Sequence, residues 1–294
     1  MINKKLTTTF LIWNVTILSL LAQVKVDLVL DRQQYLAGES VPIQLKITNL
    51  SGQTFSLSDE DQWLSFTLDL SSGYIVEKFD QVPPSGKFDV PSGSVVTKVI
   101  DLATYYNLSQ SGRYKISATI KISNWGQSFS SPETYFDIIS GNVIWQEDIG
   151  VPPSDNTNSP PAVRKYELVR ANLLKQFRLY ARIKDVTSGK LIALTYIGPM
   201  VSFSKPEAQI DSASNLHVLN QTYARTFIYC ALNPNGEIIR RQTYDCGSSR
   251  PTLKPENGSI GVKGGTRVYL KTDIPIEEPN STNAPNSKSS DTKN

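Results

Sequence analysis

The chain has 294 residues, of which 39% are hydrophobic and 19% are charged, and its formal net charge is +3. This apolar content excludes a wholly disordered chain. The small net charge excludes a polycation that would bind nucleic acid through its overall field. The length allows two domains with additional tails.

Residues 1–22 have the pattern of a secretory leader. Lys4 and Lys5 precede a mostly apolar stretch over 10–21 that is too short to span a bilayer, and Ala22 offers a small residue at a cleavage site. We therefore expect a secreted or periplasmic protein, with an uncleaved N-terminal anchor as the alternative. No later stretch is apolar enough to cross a membrane, so the mature chain is expected to have no transmembrane segment.

Residues 23–145 are predicted to form a β-sandwich. Apolar and polar residues alternate over 24–30, 41–47, 64–70 and 114–122, which is the period of strands that bury one face. Turn sequences rich in Gly, Ser and Pro separate these segments, and no stretch shows helical periodicity with caps. Short alternating strands broken by frequent turns predict an all-β fold.

Several motifs in this region resemble immunoglobulin-like domains of exported proteins. The sequence from Tyr35 to Ile43 (YLAGESVPI) and the following segment from Leu45 to Asn49 are similar to the first hairpin of such domains. Trp63 resembles their core tryptophan, and Tyr114 resembles the corner tyrosine before the sixth strand. The resemblance implies a sandwich over about residues 23–140, without the two cysteines of the antibody disulfide.

The rest of the chain is predicted to comprise a linker, a second β-domain and a tail. Residues 146–163 contain two Pro-Pro pairs and no apolar periodicity, which predicts an extended linker. Residues 164–272 are predicted to form the second domain. Residues 273–294 are rich in Pro, Asn, Ser and Thr and are predicted to be disordered.

The second domain shows a diverged internal repeat. A strand over 177–183, a glycine turn and Thr195-Tyr196 match a strand over 227–232, a glycine turn and Thr243-Tyr244. The repeat resembles a β-propeller blade or half of a pseudo-symmetric sandwich. Two units cannot close a propeller, so we favour face-to-face packing. A ring completed by several chains and chance similarity between two hairpins are the alternatives.

A basic row on one strand is the candidate binding face. Arg178, Tyr180, Arg182 and Lys184 are predicted to share one side of the strand, and Arg240 and Arg241 add charge one hairpin later. Such a row is suited to an anionic glycan or other envelope component, a lipid headgroup or an acidic protein. The alternative is a solvated outer face, which tolerates charge.

Catalytic, metal and cofactor sites are not expected. The chain has one histidine, His217, and no serine lies in a nucleophile elbow. Its two cysteines, Cys230 and Cys246, are candidates for a disulfide, with Cys230 as a small core residue in the alternative. Two cysteines and one histidine cannot form an ordinary zinc site, and no glycine-rich phosphate loop is present.

The leading hypothesis is therefore a non-enzymatic binding or structural module of the cell envelope or extracellular space. Its partner would be an unknown protein or an anionic glycan, and not nucleic acid. One alternative is a proteinase inhibitor or chaperone-like partner that presents the loop over 81–86. The other is a glycan-active enzyme whose carboxylates, such as those of residues 59–61, meet on folding.

Overall fold

The computed structural model describes residues 24–58, 62–80, 86–152, 162–256 and 258–275. Several predicted features lie outside these residues: the leader over 1–22, the acidic residues 59–61, residues 81–85 of the candidate inhibitor loop, and the tail from residue 276. The chain divides into two compact units, residues 1–140 and residues 141–294. Both consist of strands, which confirms the all-β prediction. Within the described residues, no helix is long and apolar enough to cross a bilayer.

Unit 1 accounts for the first half of the strands. Its strands within the described residues are β1 Val24–Leu30, β2 Gln34–Leu36, β3 Pro42–Asn49, β4 Phe55–Leu57, β5 Leu64–Leu70, β6 Phe88–Val90, β7 Val95–Asp101, β8 Gly112–Ile122, β9 Gln127–Ser130 and β10 Thr134–Ile139. Two single-turn 3-10 helices follow β7 and β8, at Leu102–Thr104 and Ser123–Trp125.

Two sheets of unit 1 share one hydrophobic core. One sheet has the order β1-β3-β7, the other has the order β2-β10-β8-β5 with β9 also paired to β8, and β4 pairs with β6. Inward residues of β3, such as Ile43 and Leu45, belong to the same core as Ile116 and Ile120 of β8. Alternation along each strand therefore places the apolar side chains between two sheets, as the sequence predicts.

The two aromatic residues singled out in the sequence of unit 1 are buried in its core. The Trp63 ring meets the Phe88 ring edge to face at 5.3 Å between centroids. The Tyr114 hydroxyl donates a hydrogen bond to the Gln110 carbonyl oxygen at 2.8 Å. This bond ties the start of β8 to the turn that precedes it.

Unit 2 begins earlier than the sequence predicts. Its strands within the described residues are β11 Asn142–Val151, β12 Ala162–Leu173, β13 Gln176–Asp185, β14 Leu191–Pro199, β15 Glu207–Ile210, β16 Leu216–Gln221, β17 Thr226–Leu232, β18 Ile238–Asp245, β19 Thr252–Glu256, β20 Ser259–Lys263 and β21 Thr266–Val268.

The predicted linker over 146–163 is wrong at both of its ends. Residues 142–151 form β11, which pairs antiparallel with β12 from Asn142 opposite Arg170 to Val151 opposite Ala162. The Pro-rich stretch therefore connects two strands of one hairpin and does not separate two domains. The sequence of β11 gives no strand signal because β11 is an edge strand and most of its side chains are exposed.

Unit 2 has three layers. The sheet β11-β12-β13-β14 packs against the sheet β15-β16-β17-β18-β21, and the hairpin β19-β20 forms the third layer. The first core contains Leu179 and Ile183 of β13 together with Val218 of β16. The second core joins Leu219 of β16 to Leu253 of β19. The strands β16 and β17 consequently lie between two cores.

The two repeats have the same order of strands but different places in the sheets. The first contains the hairpins β13-β14 and β15-β16, and the second contains β17-β18 and β19-β20. However, β16 pairs with β17, so the boundary between the repeats runs through the middle of one sheet. Face-to-face packing occurs between the two sheets and not between the two repeats as whole units.

The predicted disordered tail also begins too early. Asp273 is buried, and its carboxylate accepts hydrogen bonds from Arg267 at 2.8 Å and from the Leu270 backbone N–H at 3.0 Å. Ile274 then bridges to Arg241 of β18 through two backbone hydrogen bonds. Ion pairing and edge pairing thus hold residues 273–274 on the sheet.

The candidate disulfide between Cys230 and Cys246 is not formed, and both cysteines are free. Cys230 points into the first core, whereas Cys246 packs against the second. The two side chains therefore lie on opposite sides of the central sheet. Burial raises the pKa of the Cys230 thiol to about 12, which leaves it protonated and unreactive near neutral pH.

Thiol labelling tests this arrangement. In the native protein we expect a thiol reagent to modify Cys246 within minutes and Cys230 only after unfolding, because only Cys246 is partly exposed. Mass spectrometry of the labelled peptides gives the two rates. A melting temperature that falls when a reductant is added would instead demonstrate a disulfide.

Candidate functional site

The predicted basic row shares one face of β13, but it is not a free surface. Arg178, Tyr180, Arg182 and Lys184 alternate with Leu179, Ala181 and Ile183, which lie in the first core. Tyr180 is only 1% exposed. Its ring contacts the Tyr196 ring at 5.4 Å, and the Arg178 guanidinium lies 5.7 Å from the same Tyr196 ring. The aromatic member of the row is therefore part of the packing and cannot stack on a ligand.

Two of the three cations of the row, Arg182 and Lys184, are engaged by a buried carboxylate on the neighbouring strand. Glu167 of β12 lies opposite Arg182 and accepts a hydrogen bond from its Nε at 2.5 Å. The Lys184 ammonium lies 3.5 Å from the same carboxylate oxygen. An anionic ligand would have to displace this ion pair and leave Glu167 buried without a counter-charge.

The other two predicted residues do not extend the row. Arg240 lies opposite Ala231 of the second core, and Arg241 lies opposite Cys230 of the first core. Adjacent residues of a strand point to opposite faces, so the two side chains diverge. The Arg241 guanidinium lies 3.8 Å from the Cys230 sulfur. The structure therefore does not bring the six predicted residues together on one surface, and the single basic face is wrong.

His217 belongs to a buried structural network. Its Nδ1 lies 2.8 Å from the Tyr229 hydroxyl, and its Nε2 lies 3.0 Å from an Asp211 carboxylate oxygen. Burial raises the pKa of Asp211, but hydrogen bonds from Asn215 and His217 outweigh that effect and hold the pKa below its ordinary value. Burial raises the pKa of Tyr229 to about 12. The network fixes the turn before β16. Across the part of the chain that the structure describes, no three His, Cys, Asp or Glu side chains are grouped to hold a metal ion.

A different surface stands out at one end of unit 2, where three connections meet. We define the loop end as residues 174–175 between β12 and β13, residues 200–206 between β14 and β15, and residues 222–225 between β16 and β17. The Met200 N–H donates to the Phe177 carbonyl at 2.9 Å, and the Val201 N–H donates to the Gln221 carbonyl at 3.2 Å. These bonds place the connection over 200–206 beside the start of β13 and the end of β16, which adjoin the other two connections.

Each connection of the loop end carries one exposed apolar side chain followed closely by a cation. Leu174, Phe203 and Tyr223 are 61%, 81% and 63% exposed. The following cations, Lys175, Lys205 and Arg225, are exposed as well. No acidic residue occurs in the three connections. Grouped exposed apolar side chains with one sign of charge mark an interaction surface.

The Tyr223 turn is rigid and internally satisfied. The side-chain amide of Gln221 donates to the Tyr223 carbonyl at 3.1 Å and to the Ala224 carbonyl at 3.0 Å. The Thr222 N–H donates to the Thr226 carbonyl at 2.9 Å. The Tyr223 N–H and the carbonyls of Tyr223 and Ala224 are paired within the turn, so the tip presents mainly the Tyr223 ring.

The turn at Leu174 is strained. Leu174 and Lys175 have φ angles of 50° and 67°, the left-handed values that a two-residue hairpin turn requires. Asn-Gly meets this requirement without strain, whereas a residue with a branched or long side chain is disfavoured there by about 1–2 kcal/mol. Strained backbone conformations concentrate at functional positions. There, the contribution of the side chain to function outweighs the conformational free energy that the strain costs.

The loop end was not predicted, although its three connections share a sequence signal. Each connection contains an apolar residue followed within two positions by a basic residue: Leu174 with Lys175, Phe203 with Lys205, and Tyr223 with Arg225. These residues fall where strand alternation stops, so none belongs to a buried face. Only the order of the strands in the sheets shows that three such loops lie at the same end of unit 2.

Comparisons with known proteins add little to this geometry. No family model matches the chain, and no curated protein matches it. Among solved structures, it is similar to the sporulation control protein Spo0M from Bacillus subtilis, with 12% identity over 57% of this chain and 82% of that chain. The TM-score is 0.28, which is too low to support any conclusion about fold or function.

The ion pair of Glu167 is predicted to hold the sheet together. Replacing Glu167 with Gln should lower the free energy of unfolding by about 3 kcal/mol, because Arg182 then loses its counter-charge in a largely buried position. Asp148→Asn is the matched control, since its pair with Lys165 is exposed and should contribute less than about 1 kcal/mol. Urea unfolding measures both variants, and equal effects would contradict the structural role of Glu167.

Relieving the strained turn is predicted to stabilise unit 2. Leu174→Asn combined with Lys175→Gly should raise the free energy of unfolding by about 1–2 kcal/mol, because both new residues tolerate positive φ. Gly189→Ala in the turn between β13 and β14, where φ is 69°, should act in the opposite direction. Thermal melts of the two variants provide the measurement. A melting temperature that falls for the first variant would show that the turn is not strained.

Proposed function

We propose that the chain is a non-enzymatic, exported binding module of the cell envelope or extracellular space, and that the loop end of unit 2 is its contact surface. The observation that carries the proposal is that each of three connections at one end of the sandwich combines an exposed apolar side chain with a cation, and that backbone hydrogen bonds connect this end. Binding residues are commonly carried on loops that a rigid scaffold positions. We keep the hypothesis of an anionic partner, but we assign its binding site to the loop end and not to the basic row of β13.

Within this proposal, unit 1 is an immunoglobulin-like domain that serves as a spacer or a second binder. The buried Trp63 and the hydrogen bond from Tyr114 to the Gln110 carbonyl support this assignment. Such domains host many unrelated functions, so the fold of unit 1 does not identify the partner.

A retention assay tests the proposed contact surface. The chain from Gln23 onward, which contains every described residue, is passed over the envelope fraction of the source organism. The variant with Leu174→Ser, Phe203→Ser and Tyr223→Ser should lose retention at least about tenfold, because each apolar tip loses its buried area. The control carries Val186→Ser and Ile239→Ser, which are exposed apolar residues outside the loop end.

Two outcomes would contradict the proposal. The first is full retention of the triple variant with unchanged circular dichroism and melting temperature. The second is an equal loss in the control variant, which would show that general surface hydrophobicity and not the loop end carries retention.

A further inference from the structure

The exposed side chains and the charge of the loop end indicate the chemical class of its partner. Leu174, Phe203 and Tyr223 stand on three separate turns, and each side chain is more than half exposed. Protein interfaces typically place their most important residues together at a packed, desolvated centre. Three exposed apolar side chains on separate turns instead match a soft surface into which each side chain inserts separately.

The residue types and their order match the boundary of a lipid bilayer. Aromatic rings and leucine are favoured at the level of the headgroups, where one part of the side chain is in contact with hydrocarbon. Lys175, Lys205 and Arg225 each follow the tip by one or two residues. Long basic side chains at that distance reach back to headgroup phosphates while the tip is immersed.

The backbone of the Tyr223 turn, one of the three connections, is largely paired within the turn. The carbonyls of Tyr223 and Ala224 accept from the Gln221 amide, and the Tyr223 N–H donates to the Thr226 carbonyl at 3.3 Å. Inserting this turn therefore leaves fewer backbone groups without partners than inserting an open loop would.

The charge of the loop end favours an anionic surface. The three connections contain cations and no acidic residue. Arg225 forms an ion pair with Asp245 at 3.0 Å, and both side chains are substantially exposed. An exposed ion pair of this kind contributes little to the free energy of unfolding, so the Arg225 guanidinium can exchange the Asp245 carboxylate for a phosphate.

We propose that the loop end docks peripherally on an anionic phospholipid bilayer, with Leu174, Phe203 and Tyr223 inserted at the headgroup boundary. This inference rests on the proposed function, because it names the partner of the same surface. Insertion and charge act together, so neither a neutral bilayer nor a soluble polyanion should bind the chain as tightly as an anionic bilayer does.

Vesicle sedimentation tests the inference on the chain from Gln23 onward. The probes are vesicles of equal parts phosphatidylcholine and phosphatidylglycerol, vesicles of phosphatidylcholine alone, and soluble dextran sulfate. We expect binding to the mixed vesicles, with a loss of about tenfold for each of Phe203→Ser and Leu174→Ser. Lys175→Gln combined with Lys205→Gln should weaken binding and reduce its salt dependence. The control with Val186→Ser and Ile239→Ser should bind like the unaltered chain.

A Phe203→Trp variant gives an independent readout. Its fluorescence emission should shift to shorter wavelength with the mixed vesicles, after subtraction of the signal of the unaltered chain. Equal binding of the triple serine variant, or an emission that does not shift, would overturn the inference.

The outcome also separates this inference from the proposed function. If the mixed vesicles fail to bind while the envelope fraction, stripped of lipid by detergent, still retains the chain through the loop end, the partner is a protein or glycan. The bilayer inference then fails and the proposed function stands. If loop-end variants are retained like the unaltered chain on every support, both fail.

Discussion

Unit 2 depends on the burial of β16 and β17 from both sides. Every residue of β16 is buried, and its side chains alternate between the two cores. A strand buried on both faces gains apolar contacts from two layers, so its position is fixed more firmly than that of an outer strand. The turn over 222–225 joins these two strands directly. The most constrained part of the unit therefore ends in one of the three exposed tips.

Backbone hydrogen bonds connect the segments next to the other two tips to β13 and to the central sheet. Val201 donates to the Gln221 carbonyl, and Met200 donates to the Phe177 carbonyl, which links the central sheet to the hairpin of β12 and β13. Gln221 has a double role, since its backbone carbonyl fixes the second connection and its side chain fixes the third. Rigid placement reduces the entropy lost when the tips engage a partner. Strain at Leu174 and Lys175 is consistent with a surface that gives up stability for binding.

Strand alternation predicted much of the fold, and its failures have identifiable causes. Four strands of unit 1, over 24–30, 41–47, 64–70 and 114–122, were predictable because side chains along each alternate between a more buried and a more exposed face. The edge strand β11 was missed because an edge exposes polar residues, which makes it resemble a linker. Likewise, the buried Asp273 was missed because its partner Arg267 is recognised only once β21 lies beside β18.

The prediction of a basic binding face on β13 was wrong for a related reason. The alternation of Arg178, Tyr180, Arg182 and Lys184 was predicted correctly, but their availability was not, because Glu167 lies on another strand. A cross-strand partner is set by register, which local sequence does not specify. The loop end is the converse case. Within each turn its residues give no sign of a site, and only the order of the strands in the sheets places the turns at one end.

Hydroxyl-radical footprinting tests directly whether the loop end is the contact surface. The chain from Gln23 onward would be oxidised alone and in the presence of native envelope membranes, and the modified side chains would be quantified by mass spectrometry. The account predicts that oxidation of Leu174, Phe203 and Tyr223 falls while the exposed Ile75 and Ile239 are modified as before. Unchanged oxidation of the three tips, with protection elsewhere on the chain, would contradict it.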